Sequence, residues 1–176
     1  MNDPSDTDID RRLLSIDPGI VATGYAVFDD DTGPSLKDRL LGYGTIRTDT
    51  DDEISMRIGW LARDLLALLR DETILRDETI SRIVVERPAI AGVYGKRAKR
   101  QHSAQPINGS AIAKLNQASG AILAACAIYG VMPTEVTAPR ISKRERNKVV
   151  YNIWPHLEGH SNEHIRDAIW HGVGAF

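Results

Sequence analysis

Residues 13–28 read LLSIDPGIVATGYAVF, and the fold turns on the aspartate in their middle. Leu13, Leu14 and Ile16 mark a strand that buries its side chains, Ala22 to Phe28 mark a second, and a tight turn separates them. Asp17 therefore sits at a strand end, directly before Pro18 and Gly19. Asp, Pro and Gly are all common turn residues, so an isolated D-P-G is as readily a turn opener as a functional acid. The rest of the chain has to decide between them.

Outward from this stretch, the turn DDDTGPS leads to a third strand over Leu40 to Arg47, which makes an antiparallel meander. Ile54, Ile58, Leu61, Leu65, Leu68 and Leu69 then recur at helical spacing, predicting an amphipathic helix over 53–70 packed on the sheet. RDETI occurs at 70–74 and again at 76–80, too few and too short for a solenoid, and reads as a local duplication that lengthens a surface connection. RIVVE at 82–86 is a β-branched strand ending on Glu86, and Pro88 stops regular pairing. A basic loop, RPAIAGVYGKRAKRQHSAQPINGS, precedes a second long helix from Ala111 to Tyr129, where Ile112, Leu115, Ile122 and Leu123 alternate with small residues suited to close packing. TEV at 134–136 gives a fifth strand, KRERNKVVYNIW a basic helix, and SNEHIRDAIWHGVGAF a last helix capped by Ser161 or Asn162. The expected class is α/β: a five-stranded mixed sheet, three antiparallel strands and then parallel ones, flanked by helices.

A chain of 176 residues is long enough for one domain with a full core and too short for two ordinary ones. Residues 1–10, acidic and nearly free of large apolar side chains, are expected to be disordered, and 11–176 to form the single domain. The single cysteine, Cys126, lies in the apolar stretch AILAACAIYG, which predicts a buried thiol and a reducing compartment. No apolar run approaches the roughly 20 residues of a membrane span, and MNDPSDTDIDRR is unlike a secretory signal. A soluble cytoplasmic protein with no membrane partner is expected. Its net charge is only −2, but residues 87–148 hold eleven Lys or Arg against two acids, a balance of +9 against −11 elsewhere. Two clusters, GKRAKRQ and RISKRERNK, are denser than solubility requires and point to a polyanion.

Three carboxylates stand in unusual places: Asp17 ends strand one, Glu86 ends strand four, and Asp167 lies inside the last helix. If strands one and four are neighbours, their acids meet at one sheet edge. His164 precedes Asp167 by three residues and shares its helix face. Each residue alone has an ordinary explanation: a solvated helix acid, a strand-end charge paired with Arg87 or Lys96, a histidine beside a cap. Carboxylates gathered together repel unless divalent cations neutralise them, and hard oxygen ligands suit Mg2+ or Mn2+. In two-metal phosphodiester cleavage one ion activates water and the other stabilises the leaving oxygen. On this reading Asp17 bridges two ions, and Pro18-Gly19 turns the backbone away so that DNA comes close.

IDPG at 16–19, TGYAV at 23–27, VVER at 84–87, LNQASGAIL at 115–123 and HIRDAI at 164–169 resemble, in order, the motifs of the RuvC-type Holliday-junction resolvases. The resemblance spans roughly 13–174. It implies the ribonuclease H-like fold and a homodimeric endonuclease that resolves four-way DNA junctions by paired nicks in recombination and repair. Two Mg2+ ions per active site, with Mn2+ as a substitute, follow from the same resemblance. Asp17, Glu86 and Asp167 match the catalytic, metal-binding carboxylates, and His164 falls where members carry a fourth ligand or base. Tyr94, the only aromatic in the loop after Glu86, matches a residue that enters the junction centre. Lys96, Arg97, Lys99 and Arg100 of that loop, with Arg140, Lys143 and Arg144, are the expected DNA contacts, Lys143 or Arg144 matching a backbone-binding lysine. The second long helix, with Gly120, Ala121 and Ala124, is the expected dimer face, with internal packing as the alternative. The chain departs from the pattern in a longer, more basic loop after Glu86 and a shorter segment after TEV.

Other readings compete. Another ribonuclease H-like nuclease would act on flaps, forks or RNA/DNA hybrids, although exonucleases of that fold begin Asp-x-Glu where this chain has Gly19. Sugar-kinase and actin-like ATPases share an Asp-bearing first strand but need a duplicated domain. A non-catalytic DNA-binding module would have no use for three gathered acids. The cleavage sequence, a cellular or viral origin and any branch-migration helicase are not written in the sequence.

Overall fold

The computed structural model describes residues 11–31, 35–71, 79–87, 109–137, 141–159 and 162–176. Five strands form one sheet: β1 (Arg11–Asp17), β2 (Ala22–Asp29), β3 (Leu40–Arg47), β4 (Thr79–Arg87) and β5 (Thr134–Thr137), in the order β3-β2-β1-β4-β5. β2 pairs antiparallel with β1 and with β3, whereas β4 is parallel to both β1 and β5. The mixed sheet expected from the sequence is the one observed. A short helix α1 (Leu36–Arg39) precedes β3, and the long helices are α2 (Ile54–Leu68), α3 (Gly109–Tyr129), α4 (Lys143–Ile153) and α5 (Glu163–Val173). The acidic N-terminus, most of the RDETI repeat, the basic loop with Tyr94, Lys96, Arg97, Lys99 and Arg100, and also Arg140 and Ser161 lie outside the described residues.

Alternation along β1 assigns its side chains to two helix layers. Leu14 and Ile16 join Val27, Ile83 and Val85 in a core with Leu61 and Leu65 of α2 and Ala118, Ile122, Ala125 and Cys126 of α3. Leu13 joins Phe28 and Val84 on the other face, in a core with Val150 and Trp154 near α4 and Ile165, Ala168 and Ile169 of α5. With helices on both faces, the central strand reads as a nearly continuous apolar run. Asp17 shares the parity of Leu13, and Glu86 that of Val84, so both acids belong to the α4/α5 face.

Glycines set how closely α5 approaches that face. A Cβ on Gly24, the partner of Asp17 across β1 and β2, would lie 2.0 Å from the carbonyl oxygen of His164. A Cβ on Gly172, two turns further along α5, would lie 2.2 Å from the Phe28 ring. The helix therefore rests on β2 at both ends through missing side chains. Gly59, on the exposed side of α2, would meet nothing.

These contacts predict opposite effects of one substitution. Gly24→Ala forces α5 off the sheet and should cost on the order of 1–3 kcal/mol or more in urea unfolding, as overpacked cores do. Gly59→Ala removes only helix-interior glycine and should gain roughly 0.5–1 kcal/mol. A neutral Gly24→Ala would mean that α5 is not seated as described.

Candidate active site

β1 and β4 are parallel neighbours with Ile16 opposite Val85, so the next residue of each strand brings Asp17 and Glu86 side by side. Asp17 is buried, and the turn that follows is pinned from several sides. The Thr23 hydroxyl donates to the Gly19 carbonyl at 2.8 Å, and the Thr48 hydroxyl donates to that of Ile20 at 2.5 Å. Buried Arg57 of α2 donates to Ile20 O and Thr48 Oγ1, both at 3.1 Å. The reason for Gly19 is local: a Cβ there would stand 2.3 Å from the Ala22 carbonyl oxygen and 3.2 Å from the His164 ring.

Helix α5 delivers the remaining groups. Asn162 caps it, its side chain accepting from the His164 backbone N–H at 3.0 Å. His164 Nδ1 lies 2.5 Å from Asp17 Oδ2. Asp167, one turn on, faces Arg146 of α4, with Nη1 2.8 Å from Oδ1 in an ion pair without good hydrogen-bond direction. His171, absent from the expected set, lies with Nε2 2.9 Å from Glu86 Oε2. Among the described residues, donor atoms of Asp17, Glu86 and His171 lie within 4.8 Å of one another, a cluster that includes neither His164 nor Asp167. A spacing of seven residues from His164 was the available signal for His171, because two helical turns return to the same stripe.

The two carboxyls divide their charge. Burial, together with the hydrogen bond and charge of Glu86, pushes Asp17 up to about 7 against the opposing pull of His164. Burial also raises Glu86, but hydrogen bonds from His171 and Asp17, with the charges of His171 and Arg146, outweigh it and bring Glu86 down to about 2. The hydrogen bond to Asp17 holds His164 above the usual imidazole range despite burial. Two acids this close retain a proton between them unless a cation takes its place. The neighbouring carboxylate oxygens of Asp17 and Glu86 and a buried Asp167 Oδ1 with no hydrogen bond among the described residues form a hard donor set that fits a divalent ion.

Of the expected DNA contacts, the described residues include Lys143 and Arg144, both exposed at the start of α4. They line an open groove of about 690 Å3 with Asn147, Lys148, Tyr151, Asn152 and Glu158. Lys143 is ion-paired with Glu163 in the first turn of α5, so the groove adjoins the helix end that carries His164. Cys126 is buried as expected, which pushes its thiol up to about 11 and leaves it inert.

No family model matches the chain. Over 132 residues it is 33% identical to the crossover junction endodeoxyribonuclease RuvC of Salinispora arenicola, covering 72% of this chain and 62% of that protein. A second RuvC, from Magnetococcus marinus, is 28% identical over 132 residues, covering 75% of this chain and 60% of its own. The chain thus spans about three-fifths of the length of these curated relatives. Among solved structures, Thermus thermophilus RuvC in complex with Holliday junction substrate superposes with a TM-score of 0.65 at 22% identity, over 92% of this chain and 89% of that one. The fold is ribonuclease H-like, as the motifs implied.

The raised Asp17 gives stability a definite pH dependence. The folded chain keeps its proton up to about 7 and the unfolded chain only to 3.8, so between these values folding binds a proton and stability falls as pH rises. Asp17→Asn removes the term. In EDTA, the stability of Asp17→Asn relative to wild type should increase from pH 4 to pH 8, by an amount on the order of a few kcal/mol, in urea titrations. A difference that stays flat with pH would mean that Asp17 is ionised throughout.

Proposed function

We propose that this chain is a metal-dependent, structure-specific endodeoxyribonuclease that resolves four-way DNA junctions by paired symmetric nicks. The observation that carries the reading is the pairing of buried Asp17 with Glu86 at adjacent parallel strand ends, with His164 of α5 hydrogen-bonded to Asp17. The likeness to RuvC proteins in sequence and fold supports it. Asp17 and Glu86 would hold Mg2+ between them, with His164 and Asp167 completing the set. Bound there, divalent ions supply a water of lowered pKa and stabilisation of the leaving oxygen.

The chain's own groups do the rest. On metal loading Asp17 and Glu86 would give up the proton they share, while His164, hydrogen-bonded to Asp17, orients it, and Arg146 offsets the charge of Asp167. Lys143 and Arg144 line the groove beside the site, where phosphates of a junction arm would lie, and Arg140 with the loop residues Tyr94, Lys96, Arg97, Lys99 and Arg100 is assigned to the same DNA.

Asp17→Asn, Glu86→Gln and Asp167→Asn should each abolish nicking of a synthetic four-way junction in Mg2+ while leaving gel-shift binding close to wild type. Paired nicks on opposing strands by the wild-type protein are the expected product. Cleavage of RNA/DNA hybrids or flaps in preference to junctions would select the alternative nuclease reading.

Two symmetric nicks call for two active sites, and α3 supplies a face for a second copy. Gly120 and Ala124 are exposed, a Cβ on Gly120 would meet nothing, and Ile128 one turn beyond Ala124 is 66% exposed. Ala121, expected on that face, instead turns into the core. Gly120→Arg and Ala124→Arg should convert a dimer into a monomer in sedimentation equilibrium with little change in melting temperature. A dimer unaffected by both would place the interface elsewhere.

A further inference from the structure

His171 belongs to none of the motifs that led to the site, yet it makes one of the site's most buried polar contacts. Its side chain is 2% exposed, and Nε2 lies 2.9 Å from Glu86 Oε2. A core position at this depth on an amphipathic helix ordinarily holds an aliphatic residue, since a buried imidazole must find a partner or bear the cost of desolvation. Here the partner is one of the two strand-end carboxylates.

The direction of α5 distinguishes holding from ligating. The helix starts over Gly24, which pairs with Asp17 at the end of β1, and runs to Phe28, which pairs with Leu13 further inside the sheet. Seven residues along it, roughly 10 Å at helical rise, His171 comes to Glu86 from the body of the sheet. Nε2, already within hydrogen-bond distance of Oε2, cannot donate its N–H there and ligate an ion at once.

We propose that His171 is a positioning residue of this site: its Nε2–H donates to Glu86 Oε2, fixing the carboxylate so that the remaining oxygen is presented to a divalent cation. This deepens the nuclease reading and rests on it for the role of Glu86. A free Glu side chain has three rotatable torsions to order when an ion binds, and a hydrogen bond that orders them beforehand raises affinity without touching the ion.

The test compares three substitutions in the full chain. His171→Leu keeps bulk and loses the donor, His171→Gln keeps an N–H at similar reach, and His171→Asn keeps the amide but is too short. Folding is checked by near-ultraviolet circular dichroism. Mn2+ binding is read by electron paramagnetic resonance without DNA, and the Mg2+ concentration for half-maximal nicking is read on a four-way junction. Leu and Asn should weaken Mn2+ binding roughly 10–100-fold and raise the Mg2+ requirement in step, with the rate largely recovered at saturating Mg2+, while Gln stays within several-fold of wild type. Should Leu fail to fold, the Asn and Gln pair makes the same comparison. Wild-type Mn2+ affinity in folded Leu or Asn would overturn the proposal. So would equal loss in Asn and Gln with fewer ions bound, which would make His171 a ligand. The expected Mn2+ series without junction cleavage would uphold the role of His171 and sink the nuclease reading alone.

Discussion

The parallel register of β1 against β4 is the constraint on which the site depends. Arg12 pairs with Ile80 but Leu13 with Arg82, so β4 carries one extra residue, a bulge at Ser81 whose hydroxyl bonds back to the Arg12 carbonyl at 3.3 Å. Were Ser81 instead paired with Leu13 in unbroken register, Ile16 would face Val84 and Asp17 would lie beside the apolar Val85. The bulge resets the phase so that Asp17 meets Glu86 and both turn toward α5. A single inserted residue at one end of the strand thus aligns two carboxylates at the other.

Holding two acids there costs stability, and the surrounding contacts show how the fold sustains it. Arg57 and Thr48 clamp the turn after Asp17 from outside the site, so the acid does not swing into solvent to relieve its burial. Gly24 and Gly172 let α5 lie close enough for His164 and His171 to reach one carboxylate each. Each imidazole is thereby assigned to a different acid, and the pair is held apart in charge, Asp17 raised and Glu86 lowered. On the proposed function, carboxylates poised in this way would trade a proton for a cation.

Much of the fold was legible because most strands obey one period. β3 was read over its full observed length, and the order of the long elements follows from apolar spacing alone. β4 is legible only from residue 82, because its bulge breaks alternation: Ile80, Ile83 and Val85 face one core at spacings of three and two. Asp17 and Glu86 were visible as acids at the ends of apolar runs, where an ordinary strand has no need of them. His171 was not, since on the helix it occupies a core position between Ile169 and Gly172, and only the three-dimensional neighbour Glu86 gives it chemistry. Arg146 was hidden for the opposite reason: in KRERNK it is one cation among several, and its inward direction follows from how α4 packs on α5.

That packing gives α4 two electrostatic tasks on opposite sides of one short helix. Lys143, Arg144 and Lys148 line the outer groove, while Arg146 points inward to Asp167 and lends its charge to Glu86. An acidic centre built from Asp17, Glu86 and Asp167 repels any polyanion that approaches it, and the net charge of −2 adds no attraction. Cations fixed on the neighbouring helix oppose that repulsion without neutralising the acids by direct contact, apart from the one pair at Asp167. A capping box between Ser142 and Glu145 anchors the start of α4, so these cations are held by a defined helix end. On the proposed function, the same helix then brings phosphate to the site and limits the repulsion within it, which explains how a mildly acidic chain can present a surface for DNA.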